Sequence, residues 1–264
     1  MIREYLCSRE TLFEHSMKSK SARIRLDLLL VERGLAESRQ KAQAMILAGE
    51  VQVNGARAAK AGSTVSPEAL LEVTSRLQKY ASRGGLKLEG AFEDFRLRVE
   101  GKVCLDVGSS TGGFTDCLLQ HGAARVYAVD VNTAQLAWKL HGDSRIVRIE
   151  KNARELLPVD LRETVDAVVA DVSFISVTKV LPPAVAVAKP GADFLVLIKP
   201  QFELRREDVG RGGIVKDPML HESAIASVRA AVETLGLTCL GVKPSRLPGA
   251  EGNQEYFLHA RKQA

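Results

Sequence analysis

The chain has no apolar run near the roughly 18–20 residues that a membrane helix needs. Residues 1–22 are polar and mixed in charge, without the apolar centre of a signal peptide. These absences exclude a helical span and a secretory leader from the reading, and the expected location is cytoplasmic. Residues 1–22 are expected to form a mobile extension. Cysteine is scarce: Cys7, Cys104, Cys117 and Cys239 form no C-x-x-C pair. Cys104 falls in a predicted core strand and Cys117 in a predicted helix. Both read as small buried apolar residues in a reducing compartment, not as halves of disulfides. The five histidines are scattered, with no H-E-x-x-H or Cys/His cluster, so no metal site is expected. A G-x-G-x-x-G fingerprint is also missing, which argues against a dinucleotide.

What is present fits a soluble globular protein of one large or two ordinary domains: 264 residues, 45% hydrophobic and 26% charged. The net charge of +5 is unevenly placed. Residues 1–83 hold 14 Lys/Arg against 9 Asp/Glu, whereas residues 84–264 hold 23 of each. The excess favours an acidic polymer as partner, with a solvated basic face as the alternative.

Residues 24–34, IRLDLLLVERG, read as a short helix stopped by Gly34. Ser38 is a plausible N-cap for a second helix, SRQKAQAMILAG, whose Ala42, Met45 and Ile46 share one face. EVQVNGARA reads as a hairpin turning at Asn54-Gly55. Strand-like pieces follow around Ser63–Val65 and Leu70–Val73. The run R-L-D-x-x-L…G…S-R-x-x-A-x-x-x-I-x-x-G-x-V-x-V-N-G resembles the S4 RNA-binding domain over about residues 23–82. The resemblance implies RNA contact through the helix pair. Arg25, Arg39, Lys41 and Arg57 are the candidates for holding the phosphate backbone.

From Lys102 onward strand-like and helix-like pieces alternate, which predicts an α/β, Rossmann-like domain over residues 83–264 with a mostly parallel sheet. The strands include KVCLDVG, RVYAVDV, RIVRIE, VDAVVAD, FLVLI, LTCLGVKPS and EYFLHAR. A helix is expected near Gln135–Leu140, with Trp138, the only tryptophan, packed in the core. No helix separates the last two strands, so they should run antiparallel. If the last strand inserts beside FLVLI, Glu255 lands beside Lys199.

The first of these strands leads into DVGSSTGGFT, residues 106–115. Its glycines permit a tight turn and close backbone approach to a ligand. Asp106 suits a ligand with an ammonium group, and Asp130, closing the next strand, can accept from ribose hydroxyls. Together they resemble an S-adenosylmethionine-dependent methyltransferase, with Asp106, Gly108, Ser110, Gly112, Gly113 and Asp130 as candidate cofactor residues. Asn152 and Arg154 fall where the adenine edge should lie.

Lys87, Asp171, Lys199 and Glu255 complete the reading. Asp171 and Lys199 close strand-like runs and Glu255 opens one, so they gather at the end of the sheet where α/β ligands bind. Lysines and carboxylates around a hydroxyl can activate it: Lys199 as base, Lys87 as neighbouring cation, Asp171 and Glu255 as anchors. With SRGGLKL, DVGSSTGGFTDCLL, VVADVSFISV, LIKPQFE, GGIVKDP and GNQEYFLHAR, the chain looks like the hemolysin A/TlyA family related to FtsJ/RrmJ. The resemblance covers nearly everything from about residue 23. It implies a catalytic Lys87–Asp171–Lys199–Glu255 tetrad, S-adenosylmethionine as cofactor and a cytidine ribose of ribosomal RNA as target. The short C-terminal end implies the form that acts on the large subunit. An inactive RNA-binding protein, a membrane-lytic protein and a methyltransferase for tRNA or small molecules are the competing readings.

Overall fold

The computed structural model describes residues 23–263 except Glu37, Ala48, Ala59, 74–78, Ala250 and Glu251. The extension 1–22 lies outside the described residues. The chain divides into two compact units, Met1–Leu77 and Gln78–Ala264. This division falls ahead of the expected 82/83 boundary. Tyr80 is buried among Leu88, Phe92 and Cys117, and Ala81 N–H donates to Asp116 Oδ2 at 2.7 Å, so both belong with the second unit.

The first unit opens with β1 (Ile24–Arg25), α1 (Leu26–Glu32) and α2 (Arg39–Leu47). Then come β2 (Val51–Val53), β3 (Ala56–Arg57), β4 (Thr64–Val65) and β5 (Leu71–Val73). The expected helix start at residue 24 is corrected: Ile24 and Arg25 pair antiparallel with Val65 and Thr64, and Leu26 N–H donates to Ser63 O. Helix geometry begins only once that short sheet is satisfied. Ser38 Oγ accepts from Lys41 N–H at 3.2 Å, as an N-cap should. Asn54 and Gly55 take φ of 51° and 80°, closing the β2–β3 hairpin. Leu26, Leu30, Ala42, Ile46 and Val51 form a small core.

The second unit contains α3 (Arg83–Phe95), β6 (Val103–Val107), α4 (Gly113–Gln120), β7 (Arg125–Asp130), β8 (Ile146–Glu150) and β9 (Val165–Ala170). It continues with α5 (Leu181–Val187), β10 (Ala188–Ile198), α6 (Pro200–Glu203), α7 (Pro218–Thr234), β11 (Leu237–Pro244) and β12 (Tyr256–Lys262). The seven strands lie in the order β11-β12-β10-β9-β6-β7-β8. From β8 to β10 the pairing is parallel, and β12 inserts antiparallel between β10 and β11.

Alternation along each strand sends side chains to two cores. Leu105, Val107, Phe194, Val196 and Leu258 face α5 and α7, through Leu181, Ala184, Val228 and Val232. Cys104, Val126, Val169, Leu197 and Phe257 face α3 and α4, through Leu88, Phe92, Phe114 and Leu118. Strand order reverses between β6 and β9, which opens a crevice beyond their carboxyl ends.

The helix expected near 135–140 is instead two 3₁₀ turns, Thr133–Gln135 and Trp138–Leu140. Only Thr133, Leu136 and Leu140 of this stretch are buried, too few to give a full helix an apolar stripe. Trp138 is corrected too: it is 77% exposed, with its ring tilted against His141 at 5.6 Å.

Candidate active site

The crevice is built from four carboxyl-terminal strand ends and the start of α3. After β6, Gly108 and Ser109 both donate their N–H groups to Val129 O, which turns the chain sharply across β7. Gly108 has φ of +84°, and a Cβ on it would stand 2.3 Å from Asp171 O. No other residue fits between the loop and the end of β9. At Gly113, the first residue of α4, a Cβ would meet Ser82 Oγ at 2.2 Å. The glycines thus bring the loop, the β9 end and the α3 start into contact.

Two cavities share the loop. One, of about 370 Å³, is lined by Gly108, Ser110, Asp130, Gln135, Asn152 and Phe174 among others. The other, of about 190 Å³, is lined by Ser82, Arg83, Gly84, Lys87, Thr111 and Gly113 among others. Gly108, Ser110 and Asp171 line both. Asp130 Oδ2 accepts from Ser110 N–H at 2.9 Å and Oδ1 from Asn132 N–H at 3.0 Å. Each oxygen keeps a lone pair for a further donor. Asn152 Oδ1 accepts from Arg154 N–H at 3.1 Å, and Asn152 lines the larger cavity.

Asp106 sits elsewhere than a ligand-facing carboxylate would. It is fully buried beneath the loop and lines neither cavity. Its Oδ2 accepts from Thr115 Oγ1 at 2.6 Å, and Oδ1 has no partner among the described residues. Burial pushes this carboxyl up to about 7, against the Thr115 bond, which lowers it. Gly112, with φ of +87°, shapes the turn into α4 from outside the cavities.

The tetrad resolves into two ion pairs. Lys87, on the buried side of α3, places Nζ 2.5 Å from Glu255 Oε2. Lys199, just past β10, places Nζ 2.5 Å from Asp171 Oδ1 and donates to Ser173 Oγ at 3.0 Å. Ile198 pairs with Tyr256 in the β10–β12 register, so the next residue out on each strand is Lys199 and Glu255. Lys87 and Asp171 line the same cavity, which links the two pairs. All four side chains are mostly shielded, Asp171 being the most exposed at 22%.

Sequence reasoning did not single out Ser173 or Phe174. Phe174 is 89% exposed, takes a left-handed φ of 67° and lines the larger cavity, with its ring 5.5 Å from that of Phe202. A non-glycine residue held there stores strain of the kind that gathers at functional sites. The available signal was an aromatic residue three positions after an acidic strand end.

In the first unit, Arg25 Nε and Nη2 donate to Asp27 at 3.0 and 2.9 Å, and Arg39 Nε donates to Asp27 Oδ2 at 3.0 Å. Gln43 adds a further bond at 2.8 Å. These donors, Arg25 foremost, outweigh burial and hold the Asp27 carboxyl well below the usual carboxylate range. Both guanidinium groups remain about half exposed. Lys41 and Arg57 are exposed, and the Arg57 guanidinium lies over Gly49.

Among the described residues no helix is long and apolar enough to cross a membrane, and no group of His, Cys, Asp and Glu could hold a metal ion.

Comparison with known proteins places this geometry. The family model of FtsJ-like methyltransferases matches residues 80–262, and that of the S4 domain matches residues 24–71. The 16S/23S rRNA (cytidine-2'-O)-methyltransferase TlyA of Mycobacterium tuberculosis is 49% identical, over 91% of this chain and 91% of its own. Hemolysin A of Brachyspira hyodysenteriae is 43% identical over 89% of this chain and 99% of its own. A solved chain from Streptococcus thermophilus that carries the name hemolysin is 39% identical, with a TM-score of 0.72 over 92% of this chain and 90% of its own. An S4 unit followed by a seven-stranded methyltransferase sheet, and identity of this extent to TlyA and hemolysin A, make the chain a member of the TlyA/hemolysin A family of FtsJ-like methyltransferases.

Proposed function

We propose that this protein methylates a ribose 2'-hydroxyl, that of a cytidine in large-subunit ribosomal RNA, with S-adenosylmethionine as donor, and that it works in the cytoplasm. The observation that carries the reading is the pair of lysine–carboxylate contacts, Lys199–Asp171 and Lys87–Glu255, at one end of the sheet beside the glycine-turned loop. The cytidine and the ribosomal target come from the relatives' activities.

The cavities fit the donor. Gly108 lets the loop close against the end of β9 in the wall of both cavities, Asp130 has acceptor capacity for ribose hydroxyls, and Asn152 can hold the adenine edge. Bound there, S-adenosylmethionine would supply an electrophilic methyl on a sulfonium. The rest falls to this chain's residues. Lys199, when neutral, takes the hydroxyl proton at Nζ, and Asp171 stabilises the ammonium that results. The structure gives Lys87 a carboxylate of its own, so its part is to orient the ribose as a fixed donor, more than to repel Lys199. Most of the rate gain is proximity and orientation, because the methyl is already activated. The first unit brings the RNA, through Arg25, Arg39, Lys41 and Arg57.

The test is methyl transfer to purified large-subunit RNA, with ribose methylation mapped by position. Lys199→Ala should fall roughly 100-fold or more while keeping its cofactor affinity. A variant above about one tenth of wild-type rate would remove Lys199 as the base.

A further inference from the structure

One half-buried carboxylate plays no part in the scheme above. Glu203 closes α6, four residues after Lys199. Its Oε2 accepts from Ser176 Oγ at 2.5 Å and its Oε1 from Val177 N–H at 2.8 Å. Among the described residues no cation pairs with it. Burial raises its pKa, and the bonds from Ser176 and Val177 only partly offset that. A carboxylate drawn partly out of water and met only by neutral donors is costly to keep. Its value therefore lies in what it holds.

What it holds is the loop after β9. That loop is fixed at its near end where Asp171 N–H donates to Val107 O, and at its far end by Glu203. Between the two anchors lie Ser173, which receives Lys199, and Phe174, with its left-handed backbone. Phe202, the neighbour of Glu203, carries the ring that meets Phe174. The two segments that bear Asp171 and Lys199 are thus tied together through Lys199, through the Phe174–Phe202 ring contact and through Glu203.

We propose that Glu203 is a positioning residue: its carboxylate clamps the loop Asp171–Val177 to α6, so that the Lys199 amine stays seated between Asp171 and Ser173 and the Phe174 ring stays at the cavity mouth. This rests on the reading of Lys199 as the group that takes the hydroxyl proton.

The test compares full-length Glu203→Ala, Glu203→Gln and Ser176→Ala with Lys199→Ala, using rRNA and S-adenosylmethionine. Glu203→Ala should lower kcat at least tenfold while KM for the methyl donor changes less than threefold. Glu203→Gln should restore most of kcat, because its carbonyl can accept from Val177 N–H and its amide can donate to Ser176 Oγ. Ser176→Ala, which removes the Oγ bonds to Glu203 and to Thr178 without touching the carboxylate, should lose three- to tenfold in kcat. If Glu203→Ala does not fold, Ser176→Ala and Glu203→Gln decide. Wild-type kcat in both Glu203→Ala and Ser176→Ala would overturn the clamp, as would equal losses in the Gln and Ala variants. Activity surviving in Lys199→Ala would overturn the lysine-base reading separately, since it is read in a different variant.

Discussion

Lys87 Nζ lies 2.5 Å from Glu255 Oε2, joining the first helix of the methyltransferase unit to the start of its last strand across 168 residues. Both side chains are nearly sealed from water, at 10% and 3% exposure. Removing one partner strands the other's charge. Glu255→Ala and Lys87→Ala should each cost about 3–5 kcal/mol in urea unfolding. The double replacement Lys87→Met with Glu255→Leu should be more stable than either single variant. All of them should be defective in methyl transfer. Additive losses in the double variant would show that the two charges are not coupled.

Gly108→Ala tests the contact between the loop and β9. The new Cβ would stand 2.3 Å from Asp171 O on a backbone at φ of +84°. Strain and overlap together should cost about 2–4 kcal/mol, and calorimetric affinity for S-adenosylmethionine should fall. Gly236→Ala is the control. Its φ is +77° with open space around it, so it should cost only about 1–2 kcal/mol and leave cofactor affinity unchanged.

Asp130→Ala should weaken S-adenosylmethionine binding at least tenfold, the worth of about 1.5–3 kcal/mol for a hydrogen bond to a charged group. RNA affinity should stay the same. Asp130 also receives Ser110 N–H and Asn132 N–H, so Asp130→Asn, which keeps one acceptor, should fall between wild type and Ala. An unchanged dissociation constant in the Ala variant would take Asp130 out of the site.

Asp193 predicts an acid dependence of stability. It accepts from Lys102, just ahead of β6, and from His259 and Arg261 on β12. Burial alone would raise its pKa, but the bonds from His259, Arg261 and Lys102 outweigh burial and hold it well below the usual carboxylate range. A depressed carboxylate contributes stability above its unfolded pKa and loses it as pH falls through its folded value. Asp193→Asn should therefore be about 1.5–3 kcal/mol less stable than wild type at pH 7. The gap should narrow as pH drops below about 4. A gap constant from pH 7 to pH 2 would exclude the charge as its source.

Arg39→Ala with Lys41→Ala should weaken RNA binding and make the plot of log affinity against log salt shallower by about one to two units. Asp27 keeps Arg25 and Gln43 in that variant, so the first unit should still fold. An unaltered slope would move phosphate recognition away from this helix pair.

The parts of the site that could be read in the sequence are those set by strand periodicity. Apolar runs ending in Asp171 and Lys199, and one beginning after Glu255, locate three charged groups once the sheet order is right. The lack of a helix between the last two strands predicted only that they run antiparallel; insertion beside FLVLI was a condition, and the Ile198–Tyr256 register meets it. Trp138 was misread because size and apolarity argue for burial, whereas burial depends on whether the local segment has a face to offer. Two short 3₁₀ turns do not. Ser173, Phe174 and Glu203 depend on contacts across 26 to 28 residues. No local period marks such contacts, and a left-handed Phe leaves no trace in composition. Asp106 was placed correctly at a strand end, but whether it faces the ligand or lies beneath the loop depends on a turn of one or two residues.

The position of β12 has a consequence for synthesis. It follows β11 in the chain yet lies between β10 and β11 in the sheet. A nascent chain that has emerged as far as β11 has no neighbour for that strand and no Glu255 to receive Lys87. The cleft therefore cannot form before β12 has been made, however early the elements ahead of it fold. An enzyme that acts on ribosomal RNA would then stay inert until its last strand has left the ribosome that makes it.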